Sequence, residues 1–279
     1  MKLVMTLLLR DEEDIVARNI EYHLHQGVDF IIATDNLSED DTSAILRDYE
    51  RLGVLHYLHQ ADDDYEQGCW VTAMARLAQH SFGADWVINN DADEFWCPEE
   101  GTLKQVLERV PVGTGAAAVK RVNFVPRRSM SSFADMTVRE RQSLNALGEP
   151  LPPKVCHRAF ADIEAGQGNH AVSRAGQPLP ADRVPITILH FPLRSYGQFA
   201  NKIIKGGAAY ARNTRLAGMG GTWRYLYDLY SKGELERWWE KQLYDDARIE
   251  AGLADGTLVR DDRIQSFLAG RKRMNGSEL

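Results

Sequence analysis

Apolar runs and polar breaks alternate along the first 110 residues with the spacing of an α/β protein. Leu3-Val4-Met5-Thr6-Leu7-Leu8-Leu9 is too densely apolar to keep a wet face, so residues 2–9 are expected to form a strand buried on both sides. Arg10-Asp11-Glu12-Glu13-Asp14 then opens a helix, with acids in the first turn where the helix dipole favours them. Ile15, Val16, Ile20 and Leu24 give that helix its apolar face, and Gly27 ends it. Residues 28–34 read as a second strand, followed by a turn rich in capping residues at 35–42, a helix over 44–52 and a third strand over 54–58. Asp62-Asp63-Asp64 begins a polar loop, 67–79 is helical, and 85–90 is a fourth strand. Strand and helix alternating in this way make a right-handed, mainly parallel sheet the economical topology.

Beyond residue 110 the pattern changes. Residues 116–125 read as a strand, and 126–183, rich in Arg, Gly, Pro and Ser, as substrate-binding loops with short strands or helices. A strand over 184–190 ends in His190, a basic helix over 195–212 is interrupted at Gly206-Gly207, and 222–273 is mostly helical. The expected organisation is 1–110 as one α/β half, 111–212 as the half that completes the sheet of the same domain, and 213–279 as a C-terminal helical extension.

Composition narrows the setting. The chain has 279 residues, 44% of them hydrophobic, enough for a sizeable core. No run approaches the ~20 apolar residues of a membrane helix, and the N-terminal apolar run is too short for a signal peptide. Cys69, Cys97 and Cys156 are scattered, which argues against a disulfide framework or zinc site and fits a reducing cytoplasm. A net charge of −7 argues against general nucleic-acid binding. The distribution says more: residues 1–100 carry 6 Lys and Arg against 22 Asp and Glu, and the remaining 179 carry 27 against 18. Solvated helix faces are one explanation. The other is an acidic, metal-binding half facing a basic half that meets an anionic substrate.

The candidate chemistry lies at 85–96, Asp85-Trp86-Val87-Ile88-Asn89-Asn90-Asp91-Ala92-Asp93-Glu94-Phe95-Trp96. An apolar strand ends there in a carboxylate cluster, at the sheet edge where α/β folds hold ligands. Asp91 and Asp93 are hard oxygen ligands suited to Mg²⁺ or Mn²⁺, whose shells are usually completed by water and substrate phosphates. The competing reading is an acidic turn that caps a helix near Thr102.

Four segments in order resemble the nucleotide-sugar glycosyltransferases of the GT-A fold, particularly their family 2-like bacterial group. They are Leu8-Leu9-Arg10-Asp11-Glu12-Glu13, with Asp11 where that group usually has Asn; Asp35-Asn36-Leu37-Ser38-Glu39-Asp40-Asp41-Thr42; Trp86 to Phe95; and Ile188-Leu189-His190-Phe191-Pro192-Leu193-Arg194-Ser195 with Gln198, Phe199 and Lys202. The resemblance implies a Rossmann-like GT-A fold with a mainly parallel central sheet and a helical C-terminal region. It also implies a UDP- or GDP-sugar donor, Mn²⁺ or Mg²⁺, a glycan or other hydroxyl acceptor, and transfer with inversion.

By that resemblance Arg10, Glu12, Asp35 and Asn36 line the nucleotide pocket, Asp91 contacts the ribose or the metal, and Asp93 binds the metal. His190 completes the shell, with His170 in its glycine-rich loop as the alternative. Arg194, Lys202 and Lys205 are candidate cations for the diphosphate. An inverting enzyme needs a carboxylate base on the acceptor; Glu94 is the nominee, with Asp162 and Glu164 as alternatives. Gln67 would lie near the donor, and Trp70, Trp238 and Trp239 are core aromatics or sugar platforms. A peripheral contact of the Trp- and Arg-rich C-terminal helices with the inner membrane face is an added expectation. The alternative functions are an Mg²⁺-dependent phosphoryl-transfer enzyme and a non-catalytic nucleotide- or glycan-binding protein. An Asp-x-Asp after the fourth strand rather than the first counts against the former.

Overall fold

The structure is a computed structural model that describes residues 1–64, 66–216 and 218–270. Its first half follows the apolar pattern: β1 (Leu3–Leu9), α1 (Val16–His25), β2 (Phe30–Asn36), α2 (Thr42–Arg51), β3 (Leu55–Gln60), α3 (Gln67–His80) and β4 (Trp86–Asn90). Then come β5 (Glu94–Pro98), α4 (Leu103–Glu108), β6 (Ala116–Asn123) and the short strands β7 (Val138–Glu140), β8 (Lys154–Arg158), β9 (Ile163–Ala165), β10 (Val172–Arg174) and β11 (Gln177–Pro178). The chain continues through β12 (Ala181–His190), α5 (Tyr196–Arg212), α6 (Gly221–Ser231), α7 (Leu235–Gln242), α8 (Asp246–Asp255), β13 (Leu258–Arg260) and α9 (Arg263–Ala269). The expected helical stretch to 273 runs past the described residues at its last three positions, as does 271–279 of the expected C-terminal extension.

Eight strands form one sheet in the order β3-β2-β1-β4-β8-β6-β12-β5. β3, β2, β1 and β4 are parallel, as are β6 and β12; β8 and β5 run antiparallel to their neighbours. All seven residues of β1 are buried, as its unbroken apolar run requires of a central strand.

β5 was not legible as a strand, and its place explains the shape of the sheet. Only residues 91–93 separate β4 from β5, yet β8, β6 and β12 lie between them in pairing order. A link of three residues spans roughly 10–14 Å, whereas four inter-strand steps in a flat sheet cover about 19 Å. The sheet therefore curls until its far edge returns to β4. That curl gathers the C-terminal ends of β1, β4, β6 and β12 around one cleft.

Two local expectations are corrected. The acidic run 10–14 does not cap a helix: α1 starts at Val16 with no acid in its first turn. Asp11 instead takes a left-handed conformation at φ 53°, held by its N–H donating to Ser38 Oγ and its Oδ1 accepting from Glu39 N–H. Its neighbours turn toward cations supplied much later in the chain. Nor do Gly206 and Gly207 interrupt α5. A Cβ on Gly206 would lie 2.5 Å from the Trp223 ring, and one on Gly207 would lie 2.5 Å from Tyr227 Cβ, so the pair lets α6 pack closely on an unbroken helix.

α1 also fixes the far edge of the sheet. His23 is fully buried; its Nδ1 lies 2.8 Å from Asn19 O and its Nε2 accepts from Trp96 N–H of β5 at 3.2 Å. Burial pushes the His23 pKa down to about 4, and it does the same to His157 of β8. No helix among the described residues is long and apolar enough to cross a membrane.

Two outcomes are expected. Gly207→Ala gains under about 1 kcal/mol of helix propensity but loses about 1–3 kcal/mol to overpacking, so its urea midpoint should fall; a rise would show that α6 does not seat there. Because His23 and His157 are neutral when folded, stability present above their ordinary pKa of 6.5 drains as pH falls toward 4. Each contributes up to about 3 kcal/mol to that loss. Equal urea midpoints at pH 7.5 and pH 5 would refute the buried, neutral imidazoles.

Candidate active site

Asp91, Ala92 and Asp93 are the turn between β4 and β5, closed by Glu94 N–H donating to Asp91 O at 3.0 Å. The turn is clamped from α1: Asn19 Nδ2 donates to Ala92 O at 2.9 Å and to Glu94 O at 2.7 Å. Asn90 Nδ2 donates to Asn19 Oδ1 at 3.0 Å, and Trp96 Nε1 donates to Asn90 Oδ1 at 2.8 Å. With its backbone fixed on both sides, the turn sends its two carboxylates in different directions.

Asp93 is 2% exposed, and its Oδ2 accepts from Lys202 Nζ at 2.7 Å, with Arg194 NH1 and His190 Nε2 each 3.6 Å away. Lys202 also donates to Glu12 Oε1 at 3.0 Å, and Glu12 Oε2 meets Arg194 NH2 at 2.5 Å. Glu12 and Asp93 thus share two cations, and their pKa values split. Burial raises that of Glu12. For Asp93, burial is overcome by the Lys202 and Arg194 cations, which hold the carboxyl well below the usual range.

Asp91 turns the other way. Its Oδ2 lies 2.5 Å from Lys154 Nζ, and Lys154, itself 1% exposed, is 3.4 Å from Glu94 Oε1. Burial works against ionisation of Asp91, but Lys154 prevails and lowers its pKa. Glu94 also accepts from Arg121 NH1 at 2.8 Å.

The β12 register puts His190 between Asn123 of β6 and Glu94 of β5. Asn123 orients the imidazole. Its amide faces the Glu140 carboxylate, which accepts only, so Nδ2 points there and Oδ1 points to His190. His190 Nδ1, 2.7 Å from that oxygen, carries the hydrogen, and the Nε2 lone pair faces Asp93. Burial lowers the His190 pKa, against the pull of Asp93, and keeps the ring neutral. A carboxylate oxygen and an imidazole lone pair facing each other across 3.6 Å suit a divalent cation such as Mn²⁺ or Mg²⁺. No set of three His, Cys, Asp or Glu residues among those described forms a metal site, so the remaining ligands would come from water and substrate.

These groups line a cleft of about 1060 Å³. Arg10, Glu12, Asn36, Gln67, Asp91, Asp93, His170, His190, Lys202 and Lys205 all face it. Arg10 is paired with Asp63 at 2.7 Å, and Lys205 with Asp11 at 2.6 Å. Gln67 Oε1 accepts from Gly168 N–H at 3.1 Å and ties the loop before β10 to the site.

Several expected residues lie elsewhere. Asp91 does not join Asp93 and His190, because Lys154 draws its carboxylate away. Glu94 is fully buried behind the cleft and bound to Arg121 and Lys154, so it cannot reach an acceptor. Arg194, 3% exposed, is a clamp on Glu12, Asp14 and Phe191 O rather than an open phosphate ligand. Asp35 lies under its turn, accepting from Ser38 N–H, Ser43 Oγ and Tyr57 OH. His170 sits apart from Asp93, with Nδ1 2.9 Å from Pro153 O. Asp162 and Glu164 are on the surface with Arg174 and Ser173. Trp239 packs in the core against Tyr196 and Phe199; Trp238 stacks on Phe199 and lines the cleft. Sequence reasoning missed Asn19, Arg121, Asn123, Glu140 and Lys154. Only Asn123, a polar residue ending an apolar strand as Asn90 and His190 do, carried a readable signal.

Among solved structures, S. aureus TarS 1–349 is similar at 12% identity and a TM-score of 0.40, over 77% of this chain and 66% of that one. TarS 1–349 in complex with UDP-GlcNAc matches at 13% and 0.43, over 77% and 68%. Glucosyl-3-phosphoglycerate synthase from Mycobacterium tuberculosis, in complex with Mn²⁺, UDP and phosphoglyceric acid, matches at 15% and 0.35, over 57% and 56%. The chain thus spans two thirds or less of most of these proteins. A search of curated protein sequences gave no match. Residues 5–132, from β1 to the loop beyond β6 and a little under half of the chain, match the model of glycosyltransferase family 92.

Proposed function

We propose that the chain transfers a glycosyl group from a UDP- or GDP-sugar to a hydroxyl of a glycan or other acceptor, with a divalent cation and with inversion. The carrying observation is the facing pair Asp93 Oδ2 and His190 Nε2 at the foot of a cleft flanked by Lys202, Lys154 and Arg121.

Charge supports the reading. Glu12, Asp91, Asp93 and Glu94 are matched by Arg121, Lys154, Arg194 and Lys202, so the site is close to neutral before anything binds. A metal–diphosphate complex is itself near neutral and can enter without upsetting that balance. Asp93 and His190 would hold the cation, which would supply positive charge to offset the charge developing on the leaving group. The chain's own part is to supply a cation for the one further negative charge that develops on the leaving group. Lys202 is suited to supply it. Burial favours its neutral form, but Asp93 and Glu12 overcome that and keep it charged, and its side chain is still 28% exposed toward the cleft. The free thiols of Cys69, Cys97 and Cys156 support a reducing compartment such as the cytoplasm.

Calorimetry tests the donor site. UDP or GDP should bind in the presence of Mn²⁺, and Asp93→Asn or His190→Gln should weaken that binding by about tenfold or more. If neither nucleotide binds with Mn²⁺ present, the proposal fails. Lys154→Met leaves Asp91 without its cation and Glu94 with Arg121 alone, and should cost about 3–5 kcal/mol of stability. Retention of the wild-type urea midpoint would show that Lys154 does not neutralise them.

A further inference from the structure

We propose that Glu140 is the general base that takes the proton of the acceptor hydroxyl. The inference rests on the nucleotide-sugar reading above and adds the group that reading leaves unnamed.

Five carboxylates line the cleft among the described residues: Asp11, Glu12, Asp91, Asp93 and Glu140. Four are held by cations, Asp11 by Lys205, Glu12 by Arg194, Asp91 by Lys154 and Asp93 by Lys202, at 2.5–2.7 Å. A carboxylate so paired is a weak proton acceptor. Glu140 faces the Ser143 hydroxyl and the Asn123 amide instead, and its Oε2 is buried with no hydrogen-bond partner. Burial raises its pKa above the ordinary glutamate value, against the opposing influence of Ser143, Arg248 and Asn123. A partly desolvated carboxylate that lines the cleft without a salt-bridged cation has the basicity this step needs.

Its place fits as well. Across His190 the order is Asp93, imidazole, Asn123, Glu140. Glu140 is thus on the side of His190 away from Asp93 and the diphosphate. Inversion requires the acceptor to approach the anomeric carbon from the face opposite the leaving group, so base and diphosphate site must lie apart. The neighbours of Glu140 along the cleft, Gln142, Leu144, Tyr244 and Trp238, offer apolar and hydrogen-bonding surface suited to a sugar.

The step balances. An acceptor oxygen forms a bond to the anomeric carbon while its O–H proton passes to a Glu140 oxygen. The bond between the anomeric carbon and the phosphate oxygen breaks, and the nucleoside diphosphate leaves with the electron pair. Protonated Glu140 then returns its proton to solvent.

Glu140→Gln tests this. The amide oxygen still faces the Asn123 amide, so the orientation of His190 should persist. The readouts are Mn²⁺ and UDP binding by calorimetry, and UDP release from UDP-sugars with water or methyl glycosides as acceptor, followed from pH 4 to 8. The groups facing Glu140 are Ser143, Asn123, Arg248 of α8 and Tyr244, with His190 beyond Asn123. The Tyr244 phenol, whose pKa burial raises, does not titrate in that range. The expected result is Mn²⁺ and UDP binding within about twofold of wild type, release slower by about 10²–10⁴-fold, and loss of the acid limb over which the wild-type rate rises with pH. Release within threefold of wild type, with binding intact, overturns the base assignment alone. A parallel loss of Mn²⁺ and UDP binding also overturns it, because Glu140 would then act by orienting Asn123 and His190. Failure of wild-type protein to bind UDP or GDP overturns the donor reading and this assignment with it.

Discussion

The cleft depends on keeping charges ionised where water is scarce. Glu12, Asp93, Glu94 and Lys154 are each at most 4% exposed. Burying any one of them alone would cost several kcal/mol. The cost is offset only because each meets a partner of opposite sign at hydrogen-bond distance or little more. Lys202 is the most economical member, serving Asp93 and Glu12 together at 2.7 and 3.0 Å. It draws the loop after β1, the turn after β4 and the middle of α5 to one point.

This arrangement recasts the charge asymmetry of the sequence. An acidic first hundred residues and a basic remainder suggest cations reserved for an anionic substrate. Much of that positive charge is instead used within the chain. Arg194 binds Glu12 and Asp14, Lys202 binds Glu12 and Asp93, Lys205 binds Asp11 and Glu39, and Arg212 binds Asp63. The two segments lock across the cleft, and α5 cannot leave the sheet without stranding buried carboxylates. The diphosphate binding proposed above would mean replacing or extending existing ion pairs, which a metal carrying its own charge would make feasible.

The first half of the fold was legible because β1, α1, β2, α2, β3, α3 and β4 each carry their own signal: an unbroken apolar run, a helical period, a glycine stop. β5 and β8 were not. Glu94-Phe95-Trp96-Cys97-Pro98 looks like the tail of the carboxylate motif, and Lys154-Val155-Cys156-His157-Arg158 hides behind two prolines in a long loop. Both are set by pairing with distant strands, β12 for one and β4 and β6 for the other. The site divided in the same way. Asp93 and His190 end apolar strands and could be picked out. Asn123 and Lys154 owe their places to register. Asn19 and His23 sit on a helix face that reads as ordinary packing, and Glu94 changes from a candidate for chemistry to a buried support once its neighbours are known.

His190 divides the cleft into two walls of different physical character. The wall with Asp93, Glu12, Asp91, Lys154 and Lys202 is ionic, and its turn is pinned by Asn19 and Phe191 backbone contacts. Fixed charges of this kind would suit the metal-bound diphosphate proposed above, because their orientation is settled before binding. The other wall is built from β7, the loop through Gln142 to Leu144, and α6 to α8, with Tyr244, Trp238 and Trp223 presented to the cleft. It is held by apolar packing: Trp238 on Phe199, and α6 seated on Gly206 and Gly207. Side chains there can change without disturbing a charge balance. For the glycosyl transfer proposed above, this separation would let the donor wall stay fixed while the acceptor wall varies. The Asn123 bridge, 2.7 Å from His190 and facing Glu140, is where the two walls are in contact.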